Sequence, residues 1–399
     1  MSGIRKALVV GGGIAGPVMA LALRRAGVAA TVYEAYESPA EGVGGVFMVA
    51  PNGLDALRTV GVDEQLQAIG LPMQRMVIED GRGRALAAFG GVPGLPPSRV
   101  MFRSELLTVL NEQLKEAGIP VEYGKRLVSA EETADGVTAH FGDGTSATGD
   151  VLIGADGTRS VVRTLIDPDA PGPQYTGLLG VGGFSAHRLQ GRRPDSVYFA
   201  NGSRAFFGYW PLAEGGTAWF SNIPQPEQLT PDQVHAVPQA DWLRRARELH
   251  AEDLPARDVL REAEVERIET FPRLEIMPSL PHWYRGRMVL VGDSAHAPSN
   301  SSGQGVSLAV ESAVELARCL RDLPEPASAF AAYERLRRAR VEKIAANAAR
   351  TNSQKAAGPV ARTLFRLAAP VAMKTFMRPA KMLGPVHGHR IAWGDTVRG

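Results

Sequence analysis

Residues 11–16 read Gly-Gly-Gly-Ile-Ala-Gly, and they constrain the chain more than any other stretch. The apolar run Ala7-Leu8-Val9-Val10 precedes them, and an Ala/Leu-rich helical pattern over 17–26 follows and stops at Gly27. A second apolar run, 28–33, ends on Glu34. Strand, G-x-G-x-x-G, helix, strand and acid in that order form the fingerprint of a dinucleotide-binding βαβ unit. Gly11 permits the tight turn. Gly13 lets a pyrophosphate reach the backbone, and Gly16 lets helix and strand pack closely. Ala15 stands at the helix start, whose free N–H groups and partial positive charge suit phosphate. Glu34 can accept from ribose hydroxyls and would repel a 2′-phosphate, which favours FAD or NAD over NADP.

Composition excludes other partners. A balance of 44 Lys plus Arg against 42 Asp plus Glu gives no basis for nucleic-acid binding. No apolar run reaches the ~18 residues of a membrane span. The first residues lead directly into the nucleotide strand, so a cytoplasmic enzyme is expected. The single cysteine, Cys319, sits in an amphipathic helical pattern and reads as a small buried hydrophobe. At 399 residues, two or three structural units are expected.

Further along, 42–53 is a glycine-rich loop containing Gly45 and Val46. Such a loop can lie against a flat ligand or simply connect, and a helix follows over 53–60. Residues 74–89 alternate around Asp80-Gly81 as a hairpin. Arg103 enters a helix that runs to about 117, capped by Ser104 without a capping-box acid. Arg103 can reach a phosphate or a flavin edge, or pair on the surface. The run Val-Leu-Ile-Gly-Ala-Asp156-Gly157 puts a carboxylate at a strand end, where it can hold a backbone, a ribose or a helix start. A third strand ends on Gly292-Asp293, followed by His296, Pro298 and a helix opening at Gly303-Gln304-Gly305-Val306. Asp293 can bind a ribityl or ribose hydroxyl, and the 303–306 amides face whatever lies beyond them. His296, alone in a tight turn, reads as structural.

Residues 171–285 carry four of the five tryptophans and suggest adjacent antiparallel strands rich in aromatics. Period-two alternation sends about half of those rings to each face. The helical pattern from 241 reads as a solvated surface. Residues 360–383 pair apolar with basic residues, interrupted by Pro370 and Pro379, which favours docking on the body or a dimer contact over a membrane surface.

Three motifs in order carry a resemblance: Gly-x-Gly-x-x-Gly with Glu34; Ala-Asp156-Gly157-x-x-Ser-x-x-Arg; and Gly292-Asp293-Ser-Ala-His-x-Pro with Gly303-x-Gly305. Over residues 4–320 the chain resembles the single-component FAD-dependent aromatic hydroxylases, the group typified by para-hydroxybenzoate hydroxylase. The family often carries an Arg soon after the ribose-binding acid, whereas 35–45 contains none. The thioredoxin-like tail of the large polyketide hydroxylases is not expected either. The resemblance implies an α/β (α+β overall) fold, with a Rossmann-type FAD-binding domain, an inserted, mainly antiparallel β-sheet substrate domain and C-terminal helices. It divides the chain into FAD-binding parts at 1–73, 99–170 and 286–325, a hairpin at 74–98, a substrate domain at 171–285 and a helical segment at 326–399. Bound FAD would meet Gly11, Gly13, Ala15, Gly16, Glu34, Gly45, Val46, Arg103, Val128, Asp156, Gly292, Asp293, Gly303, Gly305 and Val306, with Pro298 near the flavin's reactive edge. No metal and no catalytic side chain is expected, because the flavin carries the chemistry.

The implied reaction uses NADPH or NADH as a transient reductant and O2 as oxidant. A flavin C4a-hydroperoxide then delivers OH to an aromatic or polycyclic small molecule, in a monomer or homodimer serving secondary metabolism. Candidate pocket-wall residues are Arg204, Phe206, Tyr209, Trp210 and Trp219. A flavin reductase of prenyl chains and a non-catalytic flavin-binding protein share these motifs. The Trp-x-Trp-x-Ile-Pro segment of flavin halogenases is absent from the sequence.

Overall fold

The computed structural model describes residues 3–39, 45–355 and 379–398; most of the basic stretch read at 360–383 lies outside them. Two sheets organise the chain. The first has the strand order Tyr284–Arg285, Met288–Leu290, Val151–Gly154, Lys6–Val10, Ala29–Tyr33, Val121–Glu122. All its pairings are parallel except that of Tyr284–Arg285. Leu8, Val9, Leu152, Ile153, Val289 and Leu290 are fully buried. Strands this apolar belong inside a parallel sheet covered on both faces. The helices Ala15–Arg25 and Gly305–Asp322 pack against each other beside it.

Seven strands form the second sheet, in the order Glu269–Phe271, Leu178–Ser185, Thr217–Pro224, Phe206–Pro211, Ser196–Asn201, Arg75–Asp80, Ala85–Gly90. Its pairings are antiparallel, except that Arg75–Asp80 runs parallel to Ser196–Asn201. The hairpin around Asp80-Gly81 thus joins the aromatic strands from more than a hundred residues away. The fold is the mixed α/β one expected, a Rossmann-type sheet with an inserted, mainly antiparallel partner.

Local boundaries differ from expectation in three places. The loop after Gly45 becomes the strand Val46–Val49, which pairs with Ser98–Phe102, and the next helix begins at Pro51 rather than 53. Proline at the first helical position sacrifices no intrahelical bond. The helix at Arg103–Glu116 is capped from Phe102, not Ser104: the Glu105 carboxylate accepts from the Phe102 amide at 2.7 Å. And the helix Gln239–Leu249 is not merely solvated. Its Trp242, Leu243 and Ala246 are buried against the far face of the second sheet.

A buried charge cluster locks the helix Gly305–Asp322 in place. Glu311 pairs with Arg337 at 2.6 Å and Arg340 at 2.8 Å, both on the helix Pro326–Lys355, and accepts from Asn52 at 2.7 Å. Asn52 also donates to Gln304, the residue preceding the helix. Burial alone would raise the Glu311 carboxyl, but Arg337 and Arg340 outweigh it and bring it to about 2.

Candidate active site: a dinucleotide cradle facing an aromatic sheet

The carboxyl ends of Lys6–Val10, Val151–Gly154 and Met288–Leu290 lie side by side, so the three sequence motifs meet at one edge. Ligands of open α/β sheets bind at such strand ends. Gly11 adopts a φ of 109°, and Gly16 sits so close that a Cβ there would overlap the Gly11 carbonyl oxygen. At Gly13 a Cβ would meet only the Arg103 guanidinium, at 3.5 Å, and at Gly305 it would meet nothing within 4 Å. Both positions open onto a cleft of about 2720 Å³.

Glu34 accepts from the Gly12 amide at 2.5 Å and from the Tyr36 amide at 2.9 Å, which fixes its carboxylate at the cleft wall. Arg103 is exposed to the cleft and forms no ion pair among the described residues; its backbone amide donates to the Gly45 carbonyl at 3.1 Å. Asp293 also opens into the cleft. Enclosure by protein pushes its carboxyl up to about 6, against the pull of the Arg103 charge. Val46, Pro298, Gly303 and Val306 line the same space.

Asp156 lines the cleft and also caps a helix. Its carboxylate accepts from the Ser160 hydroxyl at 2.5 Å and the Val161 amide at 2.7 Å, at the start of Val161–Ile166. Buried Arg163 donates to the carbonyls of Thr158 and Ser294, tying the second motif to the third. The Ser and Arg of that motif are therefore braces between loops. His296 is buried and bonded to Ser312 at 2.8 Å; burial holds its imidazole down near 3, so it stays neutral. Burial pushes the Cys319 thiol up to about 12, as for an inert core side chain. Gly292, at φ 63°, packs beside Ala15 rather than on the cleft wall. Val128 is exposed and stands beside Leu127, which does line the cleft.

Opposite the cradle stands one face of the second sheet. Phe199, Phe206, Trp210 and Phe220 line the cleft, with Phe184, Phe271, Met76 and Ile78. Phe206 lies 5.7 Å from Phe199 and 5.9 Å from Phe220, ring centre to ring centre. Tyr209 and Trp219 require correction. Tyr209 does not line the cleft and stacks on Tyr198 at 4.9 Å, and Trp219 borders the cleft while its ring stacks on Phe207 in the core beneath the Gln239–Leu249 helix. Both faces of these strands are apolar, so alternation separates the two sets of rings without saying which set meets the cleft. Arg204 lies at the rim, where its guanidinium donates to the Glu248 carbonyl. Sequence reasoning missed Phe199, Phe220, Met76, Ile78 and Phe271. The first two stood in the aromatic window and follow from Phe206 by cross-strand pairing once the cleft face is known.

The cradle fits FAD. Open space above Gly13 and Gly305, two helix N-termini and an uncommitted arginine suit a pyrophosphate and an anionic ring edge. The cleft exceeds the roughly 300–1,000 Å³ of a pocket for a drug-sized ligand and continues to the aromatic face. Residues 5–348 match the FAD binding domain family. The chain belongs to that family. It is 31% identical over 355 residues to a FAD-dependent urate hydroxylase of Klebsiella pneumoniae, covering 85% of this chain and 87% of that protein. It is likewise 31% identical to the aurachin C monooxygenase/isomerase of Stigmatella aurantiaca, over 86% of this chain and 88% of that one. A solved structure of a Klebsiella pneumoniae HpxO variant complexed with FAD superposes with a TM-score of 0.80 at 25% identity, covering 92% of this chain and 94% of that chain. The resemblance to the FAD-dependent aromatic hydroxylases therefore holds across the protein, and FAD is its cofactor. Among the described residues no helix is long and apolar enough to cross a membrane, and no cluster of potential metal ligands occurs.

Proposed function

We propose that the protein is an FAD-dependent monooxygenase that uses NADH or NADPH and O2 to hydroxylate an aromatic or polycyclic small molecule. One observation carries this reading: a single continuous cleft joins the dinucleotide cradle to a sheet face built of aromatic rings. Bound FAD would supply the redox chemistry, taking electrons from the nicotinamide and passing one oxygen atom of O2 to the substrate.

The chain's own residues supply position and environment. The first-turn amides after Gly13 and the Arg103 guanidinium would hold the pyrophosphate, Glu34 a ribose and Asp293 a ribityl hydroxyl. Amides of Gly305 and Val306, at the positive end of an eighteen-residue helix, would stabilise negative charge on the reduced ring. Gly45 and Val46 would lie along the ring's flank and Pro298 near its reacting edge. Phe199, Phe206, Trp210 and Phe220 would exclude water and hold the substrate ring flat, and a dry site keeps activated oxygen from being lost.

The test is turnover under labelled dioxygen with NADH or NADPH and a panel of phenols and polycyclic aromatics. One labelled oxygen atom in the product, with nicotinamide oxidation stimulated by that substrate, is expected. Saturation of an alkene without oxygen uptake would instead identify a reductase, and bound FAD without turnover a binding protein.

A further inference from the structure

The second sheet carries its cleft-facing residues in rows across the strands. Ile78, Phe199, Gly208, Phe220, Gly182 and Glu269 stand opposite one another on six consecutive strands, each step about 4.8 Å. The row is apolar along its length and ends on a carboxylate. Phe220 lies across Gly208, where any side chain would collide with its ring. Gly182 carries no side chain, and an added Cβ would crowd the Trp219 carbonyl oxygen at 3.1 Å and Phe220 at 3.4 Å, with the Phe271 ring at 3.5 Å. Gly182 is thus a notch with an aromatic wall on one side and Glu269 on the other.

Glu269 lines the cleft and is half-buried. Among the described residues it has neither a hydrogen-bond nor an ion-pair partner. Burial raises its carboxyl above the ordinary glutamate value, which strengthens it as a hydrogen-bond acceptor. Two of the arginines that line the cleft are committed elsewhere. Arg267 lies 3.6 Å over the Phe184 ring and pairs with Glu264, and Arg204 is held at the rim by Glu248. In the adjoining row, Phe206, Asn222, Gly180 and Phe271, the polar group is a neutral amide.

We propose that Glu269 is a substrate-binding residue that selects a neutral, flat, multi-ring aromatic carrying an O–H or N–H donor. The rings lie along the Phe199–Phe220 row, and the donor crosses the Gly182 notch to the Glu269 carboxylate. That hydrogen bond makes the ring oxygen or nitrogen more electron-rich, which favours attack by an electrophilic oxygen. Aryl carboxylates bind more weakly, because their charge meets the Glu269 carboxylate at the end of the row. This inference deepens the monooxygenase reading and rests on it for the identity of the site.

The experiment measures binding to the full-length, FAD-loaded protein by calorimetry with three probes: 2-naphthol, 2-methoxynaphthalene and 2-naphthoate. A hydrogen bond to a charged group predicts that 2-naphthol binds roughly tenfold or more tightly than its methyl ether, with 2-naphthoate weakest. Glu269→Gln should weaken 2-naphthol by a similar factor, leave the ether unchanged and tighten 2-naphthoate. Opposite movements on two ligands would not follow from a merely structural defect. Equal binding of naphthol and ether by the wild type, no binding of either, or a Glu269→Gln variant indistinguishable from wild type would overturn the assignment. Binding requires no turnover. Selective binding without oxygenation would overturn the monooxygenase reading alone, and oxygenation with indifference to Glu269 would overturn this one alone.

Discussion

Tyr209 and Trp210 are neighbours in the chain and face opposite sides of the same sheet. The Trp210 ring lines the cleft, whereas the Tyr209 hydroxyl is buried on the other face, donating to Glu79 at 2.6 Å and accepting from Arg192 at 3.1 Å. Glu79 is itself wholly buried, and burial raises its carboxyl despite the Tyr209 bond and the Arg192 charge.

The two faces should therefore fail differently. Tyr209→Phe removes a donor from a buried carboxylate and should cost ~1–3 kcal/mol of stability, read by urea unfolding, while aromatic ligands bind as before. Phe206→Ala, on the cleft face, should weaken aromatic ligands by roughly three- to tenfold through lost ring contact. FAD retention should not change.

Arg103→Ala should reduce FAD affinity by roughly tenfold or more, the effect of losing a charge-assisted bond to phosphate. Its guanidinium holds no other partner among the described residues, so the melting temperature of flavin-free protein should stay within a degree or two of wild type, about the shift of a neutral surface change. Equilibrium dialysis against FAD checks the first outcome and calorimetry of apoprotein the second.

Gly16→Ala should abolish FAD binding and destabilise the first βαβ unit. The added methyl would overlap the Gly11 carbonyl, which is backbone and cannot swing away. Gly305→Ala is the matched control: it meets nothing within 4 Å and should fold normally, with any loss confined to the flavin. Circular dichroism and bound-flavin content separate the two.

Glu311 makes the fold acid-sensitive. Its carboxyl is lowered in the folded protein from an ordinary 4.5 to about 2. A depressed carboxylate contributes stability that is present above the unfolded value and is lost as pH falls through the folded one. Unfolding free energy should therefore fall between about pH 4.5 and 2, and Glu311→Gln should flatten that slope. Arg337→Ala, which removes the wholly buried one of Glu311's two arginine partners and leaves Arg340, should cost ~1–3 kcal/mol at neutral pH.

Much of the cradle was legible because backbone chemistry wrote it. Gly11, Gly13 and Gly16 are required by close approach, and Glu34, Asp156 and Asp293 stand at strand ends that apolar runs announce. The aromatic wall was only half legible. Its rings were visible in sequence, but the Tyr209 and Trp219 rings pack on the far side, which helix Gln239–Leu249 makes equally dry. Glu269 carried no signal. Its strand spans three residues, too few to show alternation, and the pairing with Leu178–Ser185 that turns it to the cleft joins segments some ninety residues apart. The parallel docking of Arg75–Asp80 on Ser196–Asn201 was equally hidden, and with it Met76 and Ile78.

The partition of the inserted sheet has an evolutionary corollary. Odd and even positions of the same short strands answer to separate demands: one set packs the core, and the other, on the proposed reading, selects the substrate. On that reading, a codon change at Phe199, Phe206 or Glu269 would redirect chemical taste while the fastening beneath is left alone. Such a scaffold can diversify one position at a time without passing through unfolded ancestors. Relatives similar in sequence and yet named for urate and for aurachin C are what a sheet of this kind would be expected to leave behind.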